Sequence, residues 1–92
     1  MNNLSDMSRK ELEAVIEGLE RERFFTFMKG HTVSEKFIDT ATAVRKSRKV
    51  NHSLIDKRNE LEKELFMLND KTRLLDMDIA KHRKELSTRR LI

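Results

Sequence analysis

The stretch that decides the fold runs from residue 54 to residue 86, LIDKRNE LEKELFM LNDKTRL LDMDIAK HRKEL, where Leu54, Leu61, Leu68 and Leu75 open successive blocks of seven. A leucine at every seventh position returns to the same side of an α-helix every two turns. With these leucines at the d positions of a heptad, the a positions are Val44, Asn51, Arg58, Leu65, Thr72, Ile79 and Leu86, and His82 and Arg89 continue the d series. Apolar side chains at a and d make a narrow seam that another helix must cover. Leu at d with β-branched residues at several a positions favours two parallel strands. Asn51 at a reads as a register device, because two facing amides bond only when the strands align. The expected dimer seam is therefore Val44, Asn51, Leu54, Leu61, Leu65, Leu68, Thr72, Leu75, Ile79 and Leu86.

The flanking charges support the same pairing. In a parallel, in-register pair, each g residue faces the e residue five positions further on in the other chain. Lys57 then meets Glu62, Lys71 meets Asp76, Asp78 meets Arg83 and Glu85 meets Arg90, all opposite in sign, while Glu64 meets neutral Asn69. Exposed pairs contribute only ~0–1 kcal/mol each, so the pattern selects partner and orientation more than it stabilises, with an antiparallel pair as the main competing arrangement.

Working back towards the N-terminus, Ser8-Arg9-Lys10-Glu11 is a capping box, with Met7 and Leu12 at the two staple positions around it. Leu12, Val15, Ile16 and Leu19 follow at helical spacing. Phe24, Phe27 and Met28 drift off this stripe and Phe25 lies further round, which predicts last turns wrapped by apolar contacts or a bend near Arg21. Gly30 reads as the residue that ends this helix, and Thr32-Val33-Ser34-Glu35 as a second capping box that starts the next. So short a joint predicts a hairpin. Val33 and Thr40 at d, with Phe37 and Val44 at a, carry the heptad upstream in a softer form. The expected organisation is a flexible N-terminus over 1–7, a first helix over 8–30, the start of a long helix packed on it over 31–55, and a coiled-coil stalk over 56–92. The fold class is all-α: a helical hairpin whose long second helix dimerises in parallel, giving a four-helix bundle that tapers into a stalk.

Composition agrees with long helices and excludes several functions. The chain has 92 residues, 37% hydrophobic and 39% charged, with a net charge of +4, no Pro, Cys, Trp or Tyr, and two Gly. Apolar content this low predicts a chain that buries its core against another copy. Without Cys there is no disulfide framework and no thiolate ligand or nucleophile. No apolar run is long enough for a membrane span, and residues 1–10 lack a signal-peptide core, so the expected location is cytoplasmic, with no membrane partner. No nucleophile–base pair, Gly-rich phosphate loop or paired-carboxylate signature is present, so no enzyme activity and no cofactor is expected. Asp78 and His82, four residues apart, lack the further ligands that a metal site needs.

Two features point to partners. Phe66, Met67, Leu74 and Met77 are apolar but lie off the seam, in one arc nearly opposite it. A Met-containing apolar stripe suits an adaptable protein-binding surface. Arg45, Lys46, Arg48 and Lys49 form the densest basic stretch, able to release counterions from phosphates. A second cluster, Lys81 to Lys84 with Arg89 and Arg90, suits the C-terminal end of a helix dipole. The expected function is that of a non-enzymatic, homodimeric coiled-coil interaction protein, a small regulator or inhibitor that binds a larger protein machine stoichiometrically. The alternatives are a nucleic-acid-binding regulator using Arg45 to Lys49, and an architectural oligomerisation protein.

Overall fold

The computed structural model describes residues 4–90, of Arg90 the backbone only. A 3-10 turn (Leu4–Asp6) leads into two long helices, α1 (Arg9–Lys46) and α2 (His52–Arg90). They lie side by side and antiparallel in a rod of 67 × 21 × 16 Å. There are no strands among the described residues.

The start of α1 follows the sequence closely. Ser8 is its N-cap, and the Ser8 hydroxyl accepts from the Glu11 backbone N–H at 3.1 Å. Residues 4–7 before it do not form a loose end, and residues 1–3 of the expected flexible N-terminus lie outside the described residues. Leu4 and Met7 pack against the buried cluster of Leu12, Ile16 and Leu86. The Arg89 guanidinium reaches back from α2 and donates to the carbonyls of Leu4 at 2.8 Å, Ser5 at 3.2 Å and Met7.

The joint is displaced from its expected place. Helix α1 continues through Gly30 and ends at Lys46. Gly30 has no positive φ, and Thr32, rather than capping a new helix, donates its hydroxyl to the Met28 carbonyl one turn back. A glycine inside a helix costs about 1 kcal/mol against alanine, and a long apolar seam on both sides outweighs that. The turn falls at residues 47–51. Ser47 ends α1 with an extended backbone, its N–H donating to the carbonyls of Ala43 and Val44. Its hydroxyl donates to the Lys49 carbonyl at 2.5 Å. Asn51 begins α2: its side-chain oxygen accepts from the Leu54 N–H at 3.2 Å. The bounds of 8–30, 31–55 and 56–92 therefore give way to two helices of 38 and 39 residues.

One heptad frame describes both helices. From Leu12 onward in α1 the d positions are Leu12, Leu19, Thr26, Val33 and Thr40, and the a positions are Ile16, Arg23, Gly30, Phe37 and Val44; all are buried or half-buried. In α2 the less exposed positions are those read from the sequence, among them Leu54, Leu61, Leu65, Leu68, Thr72, Leu75, Ile79 and Leu86. What covers them is α1 of the same chain. The stalk expected to stand free of the first helix is flanked by α1 along its length, with Leu12 meeting Leu86 at the far end. A five-residue turn holds α1 beside α2 at a high effective concentration, an advantage that a second chain lacks. Two members of the expected seam change role: Asn51 is the exposed cap of α2, and Val44 belongs to α1.

Charges set the register. Glu20 pairs with Arg83, Arg23 with Asp76, and Glu22 with Lys71 at 3.2 Å. These are e-to-e, a-to-e and g-to-g relations, as antiparallel neighbours require. Lys71, Asp76 and Arg83, whose signs suit a parallel partner, are thus engaged by α1. Glu85 pairs with Arg89 at 3.3 Å, and the side chain of Arg90, expected opposite Glu85, lies outside the described residues. The middle of the seam is polar and small. Thr26 donates to the Glu22 carbonyl at 2.8 Å and Thr72 to the Leu68 carbonyl at 3.0 Å, so each hydroxyl is satisfied within its own helix.

Candidate interaction surfaces

A seam one side chain wide leaves both flanks of the hairpin open. On the first flank lie the e and b positions of both helices, and on the second the g and c positions. Shallow grooves run almost end to end along the first. They pass from Glu13 and Ser87 to Phe24 and Phe27, and then to Phe37 and Phe66. Their floor includes Ile16, Gly30, Leu65, Thr72 and Ile79 of the seam. The second flank holds a shorter groove between Glu22, Phe25, Lys29, Leu68 and Lys71.

The apolar side chains left in water divide between these flanks. Phe24 and Phe27 are 56% and 58% exposed beside the first, and Phe66, 70% exposed, shares its groove with Phe37. Ile38 occupies a b position on the same flank and is exposed. Phe25 stands on the second flank, and Met67 and Leu74 occupy c positions there, 73% and 52% exposed. Met28 and Met77 lie on the helix backs, also exposed. The rings of Phe24 and Phe25 meet edge-on, their centroids 5.9 Å apart. The stripe of Phe66, Met67, Leu74 and Met77 read from α2 thus stays exposed after α1 has docked, but it does not act as one arc. Phe66 turns to the first flank and the other three to the second flank and back. The residues expected at the end of a shorter first helix, which lie midway along α1, are not wrapped by apolar contacts either: Phe24, Phe25, Phe27 and Met28 are open to water. Their contribution was visible in the sequence as residues off the stripe, but only the companion helix shows which flank each one joins.

The basic stretch occupies the turn. Arg45 and Lys46 end α1, Arg48 and Lys49 lie in the connection, and all four are exposed beside Val50, itself 73% exposed. Among the described residues none of these four cations forms an ion pair. Two of them complement the carbonyl end of α1. The histidines are dispersed: His31 lies 3.2 Å from Glu35, and His82 Nδ1 lies 2.6 Å from the Asp78 carbonyl. Among the described residues no three His, Cys, Asp or Glu gather as metal ligands, and no helix is long and apolar enough to cross a membrane. Set beside known protein families, curated proteins and solved structures, the chain finds no match.

Proposed function

We propose that the protein is a non-enzymatic interaction protein of the cytoplasm that works by stoichiometric binding of another protein, as a small regulator or inhibitor. The observation that carries this reading is the second flank. Phe25 from α1 and Met67 and Leu74 from α2 remain exposed on it, and Phe25 borders a groove with Glu22, Lys29, Leu68 and Lys71. Apolar and aromatic side chains with a charged rim are the anatomy of a binding patch, and flexible Met side chains adapt to the surface they meet. A photocrosslinking residue placed at Leu74 tests this in native cells. A heterologous adduct is expected from Leu74, absent when the same residue replaces Lys63 on the back of α2, and lost when Met67→Glu is added. No adduct from a chain that is expressed and helical overturns the reading.

Nucleic-acid binding is a second reading, favoured by the four unpaired cations that the turn gathers at one end of the rod. Such a site grips phosphates rather than bases. Replacing Arg45, Lys46, Arg48 and Lys49 with Gln abolishes retardation of DNA or RNA at low salt if this reading holds; a wild-type chain that retards neither refutes it. The parallel dimer through α2 requires α1 to leave α2, because both pairings use the same seam. Disulfide formation between Cys residues substituted at Leu12 and Leu86 of one chain supports the hairpin, and loss of that intrachain bond in favour of interchain bonds supports the parallel pair. An engineered Cys at Leu91, the natural probe for the parallel end, lies outside the described residues.

A further inference from the structure

We infer that the first flank is covered by the same flank of a second copy, two hairpins packing face to face and antiparallel into a four-helix bundle. This goes beyond the protein-binding reading, which rests on the opposite flank, and the two can fail separately.

Three observations carry it. The first is chemical asymmetry. Between residues 24–41 and 55–73, the e and b positions hold Phe24, Phe27, Ile38, Ala41, Ile55 and Phe66, with Glu62 and Arg73 as their only carboxylate and guanidinium. The g and c positions of the same stretch hold Lys29, Lys36, Asp39, Lys57, Glu60, Glu64 and Lys71. A face depleted of charge beside one rich in it marks the side that loses water.

The second is area. The chain exposes 7519 Å². A compact monomer of its 11.0 kDa mass exposes about 5,600 Å² by the usual scaling of surface with mass. The excess, about 1,900 Å² per copy, falls within the roughly 1,000–2,500 Å² that each partner gives up in obligate homodimers.

The third is self-complementarity. Gly30 and Leu68 face one another across the groove at mid-rod. A two-fold axis through that level brings Glu62 of one copy to the level of Arg73 of the other, and Phe24 to the level of Phe37 and Ile38. Phe66 then falls at the level of the other copy's Asn69, on the same uncharged stretch of the face. The same axis sends the two basic turns to opposite ends, where their charges do not repel.

Sedimentation equilibrium and circular dichroism test the arrangement together. The wild-type chain is expected to run at twice its 11.0 kDa mass. Phe27→Glu with Phe66→Glu is expected to keep its helicity and to raise the dimer dissociation constant about 100-fold or more, as loss of central interface residues does. Should that pair unfold, His31→Glu with Asn69→Glu provides the same test from exposed polar positions on the same face. Met67→Glu with Leu74→Glu is expected to leave the dimer mass unchanged. In a mixture, a Phe24→Cys chain is expected to crosslink to an Ile38→Cys chain, and Arg48→Cys chains not to crosslink to each other. A helical monomer at 100-micromolar order of concentration, where such interfaces are filled, overturns the inference. So does a dimer that survives both sets of face substitutions, or efficient crosslinking through Arg48→Cys.

Discussion

Replacing Gly30 with alanine separates two folds by the sign of one number. In the hairpin, Gly30 sits in the middle of α1, with no positive φ and no atom within 4 Å of the position a Cβ would take. Alanine there meets no steric penalty, and the helix gains the difference in intrinsic propensity, about 0.8–1.0 kcal/mol. Domains of this size shift their midpoint by about 4–8 °C per kcal/mol, so Gly30→Ala is expected to raise Tm by about that amount. Gly18 is an internal standard: it too is helical, and nothing lies within 4 Å of its added Cβ. Gly18→Ala is expected to give a rise of similar size. Were Gly30 instead the terminating residue of a shorter helix, it would need a left-handed backbone, and a Cβ there costs roughly 1–2 kcal/mol. Thermal unfolding followed by circular dichroism at one fixed chain concentration reads both variants. A fall in Tm for Gly30→Ala alongside a rise for Gly18→Ala would refute the continuous helix and return the joint to residue 30.

Two further outcomes follow from the same architecture. Asn51→Val is expected to destabilise the chain by about 0.5–2 kcal/mol, the usual cost of losing an N-cap, as measured by urea unfolding; stabilisation would place Asn51 in a seam after all. Leu12→Ala removes the one side chain with no exposure among the described residues and is expected to cost ~2–5 kcal/mol, more than Leu54→Ala at its half-buried site near the turn; equal costs would mean that the far end of the rod is not closed.

Much of the fold is legible residue by residue. The Ser8 cap, the all-helical content, the heptad frame of α2 and the a and d positions of Val33, Phe37, Thr40 and Val44 are all read directly from spacing. The same frame runs back unbroken to Leu12, but Arg23, Thr26 and Gly30 stand where apolar residues would have shown it. Thr26 is buried because its hydroxyl finds the Glu22 carbonyl locally, which a hydropathy pattern cannot register. Gly30 carries the signal of a helix end without being one, since only its backbone angles distinguish the two. The true turn lacks Gly and Pro altogether; it is built from Ser47 and Asn51, residues that cap equally well by side-chain hydrogen bonds. Partner identity is hardest to read, because a heptad states that a helix must be covered and is silent on whether the cover comes from the same chain. For the surfaces, exposure of Phe66, Met67, Leu74 and Met77 follows from the frame, whereas their division between two flanks needs the position of α1.

The Arg89 clasp has a mechanical consequence. Because α1 and α2 are nearly equal in length and antiparallel, Leu4 and Arg89 meet at one end of the rod while the turn lies at the other. Tension applied through these two ends does not shear the seam, which would load every rung at once. It peels the helices apart like a zip, one heptad at a time, and the first rung to bear the load is the best packed, where Leu12, Ile16 and Leu86 are closed over by Leu4, Met7 and Arg89. Once that latch gives, the pull passes to Leu19, Leu75 and Ile79 and then to the half-empty rungs of Thr26, Gly30 and Thr72, which resist little. The hairpin is therefore built to hold up to a threshold force and then open in one run towards its basic tip.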